Sequence, residues 1–109
     1  TGAIRFIGSN VEVSQGEALR KMAFEMKNHL QPPFVICLTA DIQGKAQIAL
    51  MLSDDLVTEK NLDATQLIKT HLATLIKGGG GGQKNFANAG GTDVSRLQEV
   101  LDTVKKLFV

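Results

Sequence analysis

Hydrophobic positions along the chain switch between a period of two and a period near four. Ala3-Ile4-Arg5-Phe6-Ile7 has the composition of a short strand, closed by Gly8-Ser9-Asn10. Ser14-Gln15-Gly16-Glu17 has the form of a capping box, with the Ser14 hydroxyl accepting from a free helix N–H and Glu17 reaching back. The helix it predicts runs to about Leu30, with Leu19, Met22, Ala23, Met26 and Leu30 on one face, and Pro32-Pro33 forbids continuation. Phe34 to Leu38 is apolar throughout, as expected of a central strand covered on both sides. Asp41-Ile42-Gln43-Gly44-Lys45 is a turn signal, and Ala46 to Leu52 supplies the antiparallel partner. Ser53-Asp54-Asp55 caps a brief turn at Leu56-Val57.

Asp63, with Gln66 three residues on, starts a second long helix whose buried stripe is Ala64, Leu67, Ile68, Leu72, Leu75 and Ile76. Lys77 complements the dipole at its end, and Gly78 is the natural residue to stop it. Asn85 to Ala89 reads as a short edge strand. Thr92-Asp93 caps a last helix that turns Val94, Leu97, Val100, Leu101, Val104 and Phe108 inward. The order is β-α-β-β-α-loop(β)-α. A crossover helix permits parallel pairing and the hairpin requires antiparallel pairing, so residues 1–109 form one α/β (α+β) domain with a mixed sheet and packed helices.

Between the two last helices lies Lys77-Gly78-Gly79-Gly80-Gly81-Gly82-Gln83-Lys84-Asn85, and a second glycine pair, Gly90-Gly91, follows. Each ordered glycine costs roughly 0.5–1 kcal/mol against alanine. Left-handed backbone, close approach of main chain to a ligand, or plain flexibility would each account for that expense. Only 27 residues follow Gly82, too few for a second domain, so an ordered loop within one domain is preferred to a tether. A third reading is that the glycines merely let the flanking helices pack closely.

Charge sharpens this picture. The chain carries a net charge of only +1, against strong nonspecific nucleic-acid binding. Yet from Ala64 to Thr92 there is no Asp or Glu, while Lys69, Lys77 and Lys84 are present. With no tryptophan or tyrosine, stacking on bases falls to Phe6, Phe24, Phe34, Phe86 or Phe108. The single cysteine, Cys37, lies in an apolar run as an inert thiol and favours an intracellular origin. No stretch approaches the roughly 20 apolar residues of a membrane span. The chain begins with Thr1, as a piece of a longer protein would.

Catalytic constellations are wanting. A phosphate-binding Walker loop needs a hydroxyl after Gly-Lys, whereas Gly82-Gln83-Lys84-Asn85 has none and follows a helix rather than a strand. His29 and His71 lack partners at metal-ligand spacing. Asp54-Asp55 is explained by capping, and neither Ser14 nor Ser95 has a nucleophile's context. The domain reads as non-catalytic. What remains is a glycine loop whose bare N–H groups can approach a phosphate or a base edge. The last helix's N-terminus stands beside it, and Lys77, Lys84 and the amides of Gln83, Asn85 and Asn88 supply donors. RNA suits such a surface.

The glycine run followed by Phe86-Ala87-Asn88-Ala89-Gly90-Gly91 resembles the DHHA1 module and, more narrowly, the C-terminal (C-Ala) domain of alanyl-tRNA synthetases. Ser53 to Val57 and the helical tail from Thr92 support a likeness over nearly all of the chain. Where family members commonly carry Arg-Pro-Asp, this chain has Gln83-Lys84-Asn85, and Lys84 keeps a positive charge there. The resemblance implies a cytoplasmic parent that charges tRNA with alanine using ATP, magnesium and zinc, and that clears mischarged products in a separate editing domain. This piece would hold the tRNA elbow without a cofactor of its own. Gly78 to Gly82, Gly90 and Gly91 are the implied backbone-approach positions, and homodimerisation is implied in some members. Two alternatives stay open. One is the substrate-gripping half of a DHH phosphoesterase, disfavoured because its usual histidine after the glycines is absent. The other is a dimerisation module.

Overall fold

The computed structural model describes residues 4–108. Ala3, expected to open the first strand, lies outside them. Five strands form one sheet in the order β1-β2-β3-β5-β4: β1 (Arg5–Asn10), β2 (Phe34–Ile42), β3 (Lys45–Leu52), β4 (Gly78–Gly82) and β5 (Phe86–Gly91). Among the described residues only β1 and β2 pair in parallel, Phe6 opposite Val35, with helix α1 (Gly16–Lys27) as the crossover. β2 and β3 form the expected hairpin. The mixed α+β architecture is as the hydrophobic pattern predicts.

Because β2 is apolar at every position from Phe34 to Leu38, it feeds two cores. Phe34, Ile36, Leu38, Ala49 and Met51 meet Leu19 and Ala23 of α1 on one face. Val35, Cys37, Ile48, Leu50 and Leu52 meet the remaining helices on the other. Those are α2 (Asp54–Glu59), α3 (Ala64–Leu67), a π-helical turn (Ile68–Leu72), α4 (Ala73–Ile76) and α5 (Leu97–Phe108). The stripes predicted on the helices hold at their centres: Ala64, Ile68, Leu72 and Ile76 are fully buried, as are Val100 and Val104, while Leu67 and Leu75 are half-buried and Leu30 and Val94 fall outside the helices.

Several expectations are corrected. Gly8-Ser9-Asn10 do not close the first strand but belong to it, paired with Cys37, Leu38 and Thr39 of β2. The capping box does not form, since α1 begins with Gln15 as its cap and no side chain bonds there; Ser14 lies one residue too early, and the helix stops at Lys27 rather than Leu30. Gly78 does not end the helix. Lys77 itself takes the left-handed turn (φ 54°), because Gly78 is already committed to a strand. The glycine run is that strand, β4, rather than a loop, and it is β4 that forms the edge, with β5 between it and β3. Finally, Thr92-Asp93 does not cap α5, which begins at Leu97; Asp93 instead caps a turn by accepting from the Ser95 N–H at 2.9 Å and from its hydroxyl. Asp63 is a true cap, its carboxylate accepting from the N–H of Thr65 at 2.9 Å and of Gln66 at 3.4 Å.

Candidate nucleic-acid interface

The two halves of the β4–β5 hairpin are held together by main chain alone. Gly78 faces Gly91, Gly80 faces Ala89 and Gly82 faces Ala87. A Cβ added at Gly78 or Gly80 would overlap the carbonyl oxygens of Gly90 and Asn88, and one at Gly82 would lie 2.6 Å from the Phe86 carbonyl oxygen. Gly91 is equally constrained, by the carbonyl of Ile76 at the end of α4. These four glycines are required by close approach. Gly79 and Gly81 differ: a Cβ at either would meet nothing within 4 Å. The sheet therefore ends in a strip of uncovered backbone, with Gly78, Gly79, Gly80 and Gly82 exposed.

The connection from β4 to β5 is pinned. The Gln83 N–H donates to the Phe86 carbonyl at 2.8 Å, and the Lys84 carbonyl accepts from Ala64 N–H at 2.8 Å, at the start of α3. The Asn85 carbonyl accepts from Leu52 N–H at 2.8 Å, while its amide donates to Asp54 at 3.3 Å. Five glycines thus form an anchored element and not a tether.

Helix α1 lies over β2 and β3, and Phe24 on its outer side reaches Phe86 of β5. A cleft of about 290 Å³ is left between that side and the hairpin, lined by Arg20 and Phe24 of α1 and by Gly81, Gly82, Gln83, Asn85, Phe86 and Asn88. Phe24 is 38% exposed, and its ring packs on Phe86 with centroids 5.1 Å apart and planes at 50°. Arg20 brings its guanidinium carbon to 5.4 Å from the Phe24 centroid, and Lys27 its ammonium to 5.9 Å.

The site residues expected from sequence divide into two groups. Gly81, Gly82, Gln83 and Asn85 line the cleft, with exposed Lys84 beside them. Lys77, Gly78 and Gly91 lie at the opposite end of β4, about 14 Å away along an extended strand. Gly90 lies between, under the Gln47 side chain, whose amide nitrogen would be 3.2 Å from an added Cβ. At the Lys77 end a carboxylate intervenes. The Ser95 hydroxyl and N–H hold the Asp93 carboxyl below its usual range against the opposing effect of burial, with weaker contributions from Lys77 and Arg96. The last helix begins at Leu97, so Thr92-Asp93 is not the helix N-terminus expected beside the glycines. Arg20 and Lys27 escaped the sequence reading, although their one-turn and three-residue spacing about Phe24 places all three on one face of α1. Among the described residues no group of three His, Cys, Asp or Glu side chains converges as metal ligands.

The DHHA1 domain family matches residues 4–109. The chain belongs to that family. Its relatives include the alanine–tRNA ligase of Cytophaga hutchinsonii, 36% identical over 107 residues, and that of Oceanobacillus iheyensis, 37% identical over 103. These matches take up 98% and 94% of this DHHA1 chain but only 12% and 11% of those ligases. The fold is that of the C-Ala domain from Aquifex aeolicus alanyl-tRNA synthetase, with a TM-score of 0.77, 22% identity, and coverage of 96% of this chain and 89% of that one. The likeness read from the glycine run and Phe86 to Gly91 thus holds over the whole domain.

Proposed function

We propose that this chain is the non-catalytic, tRNA-binding C-terminal domain of an alanine–tRNA ligase, holding the elbow of the tRNA so that aminoacylation and editing act on one bound molecule. The observation that carries this is the strip of bare, anchored main chain at Gly78 to Gly82, kept free of side chains even at Gly79, where packing does not require it. A strand without side chains lets a polynucleotide approach backbone N–H groups to hydrogen-bonding distance. Lys84 and the cationic edge of α1 supply the phosphate attraction. ATP, magnesium and zinc chemistry belong to other domains of the parent, and the tRNA partner is the alanine-specific one. No helix among the described residues is long and apolar enough to cross a membrane.

The test is a titration of the 109-residue chain with alanine tRNA. Measurable binding at 50 mM salt is expected, weakening roughly 7- to 40-fold by 200 mM if two or three phosphates are neutralised. Gly79→Val, which meets open space, and Lys84→Glu should each weaken binding while the thermal midpoint holds. No binding by the unmodified chain at low salt would remove the reading.

A further inference from the structure

Packing explains Gly78, Gly80, Gly82 and Gly91, but it does not explain Gly81. A side chain there would project into open space, and a β-branched residue would suit a strand better than glycine does. The space it would occupy is the cleft between α1 and the hairpin. The opposite wall is equally unexplained by the core. Leu19 and Ala23 are the buried positions of α1, whereas Phe24 stands on the outer side. Its ring rests on half-buried Phe86, so the inner aromatic supports the outer one.

We propose that this cleft seats a single unstacked nucleobase of the bound RNA, held against the Phe24 ring, with the adjoining phosphate on Arg20 and Lys27. The inference rests on the tRNA-binding reading and adds to it a contact on a different element. Three features point to a base. Its planar face matches an aromatic ring left partly exposed, a sequence-tolerant contact. The exposed Asn88 and Gln83 amides that line the cleft can each donate and accept, as base edges require. Arg20 and Lys27 lie over the ring in the free domain, and once the base displaces them they favour an anionic group next to the stacked plane. An unsubstituted Gly81 leaves room for the base to enter.

The chain contains no tryptophan, so Phe24→Trp supplies a unique fluorophore in the wall of the cleft. Titration of this variant with alanine tRNA should quench its emission, saturating at the concentration where binding itself saturates. Phe24→Ala should lower tRNA affinity by about 5- to 150-fold, the range for losing one stacked base. Gly81→Val should also weaken binding, and, combined with Phe24→Trp, should abolish the quenching. Retained affinity in both Phe24→Ala and Gly81→Val, with Gly79→Val and Lys84→Glu still impaired, would overturn the stacking site and leave the tRNA-binding reading standing. Lost affinity without quenching would also overturn it, leaving Phe24 as a packing support. Failure of the unmodified chain to bind tRNA would sink both.

Discussion

At the scale of single residues, the five consecutive glycines of β4 are not equivalent, and the difference is measurable. Gly80→Ala forces a methyl into the Asn88 carbonyl and the Ala89 backbone, neither of which can swing aside. A loss of about 1–3 kcal/mol is expected, the range for overpacking, with a fall in thermal midpoint of several degrees. Gly79→Ala meets empty space and should leave stability unchanged or raise it by up to about 1 kcal/mol, by restricting the unfolded chain. Thermal melts of the two variants side by side decide the matter; equal effects would refute the assignment. The sequence shows that glycine is concentrated here, but which glycine does what depends on the register with β5, and a run of identical residues carries no register of its own. Cys37 is the opposite case, legible at once. Burial alone pushes its thiol from 9.0 up to about 12. Below pH 9 both folded and unfolded chains keep the proton; above it the unfolded chain loses its proton first, so stability should fall between pH 9 and 12 by on the order of 4 kcal/mol. Cys37→Ala removes the thiol altogether and should flatten that part of the pH–stability curve relative to the parent.

Elements with a side-chain rhythm are the ones the sequence makes legible. β2, β3 and α5 announce themselves through burial, and Asp63 through its capping geometry. β4 has no side chains to alternate, so the period-two signal of a strand is absent and its partner β5 looks like the edge. The interruption between α3 and α4 has a cause of the same kind. Ala64, Ile68, Leu72 and Ile76 recur every fourth residue, all at 0% exposure. In a regular α-helix a four-residue repeat drifts by about 40° per step. Widening the helix at Ile68–Leu72 into a π turn slows that rotation and keeps all four side chains against the sheet. Between elements, buried Ser53 ties β2 to the start of α2: its hydroxyl accepts from Phe34 N–H at 3.0 Å, and its own N–H donates to the Phe34 carbonyl at 3.0 Å. Ser53→Ala leaves a buried N–H without a partner and should cost about 1–3 kcal/mol in denaturant unfolding, whereas Ser53→Thr, which retains the hydroxyl, should cost less.

For the molecule as a whole, a net charge of +1 conceals a partition that no composition reveals. α1 contributes Arg20 and Lys27 to one end of the hairpin, where Lys84 also lies, while at the other end Lys77 shares its surroundings with Asp93. The glycine and lysine half of this surface was readable in the sequence because it is contiguous. The α1 half was not, because residues 20 and 81 become neighbours only when the crossover helix is laid across the sheet. The partition makes a prediction about how tRNA lies on the domain. Each lysine that neutralises a phosphate adds roughly 0.7–0.9 to the slope of log affinity against log salt. Lys84→Ala should reduce the slope by about that amount. Lys77→Ala should reduce it by less, since Asp93 repels a phosphate from the same place. With about 14 Å of strand between them the two effects should add in the double variant. An unchanged slope in Lys77→Ala would confine the contact to the cleft end. A slope in Lys84→Ala equal to that of the unmodified chain would place the polynucleotide elsewhere on the molecule.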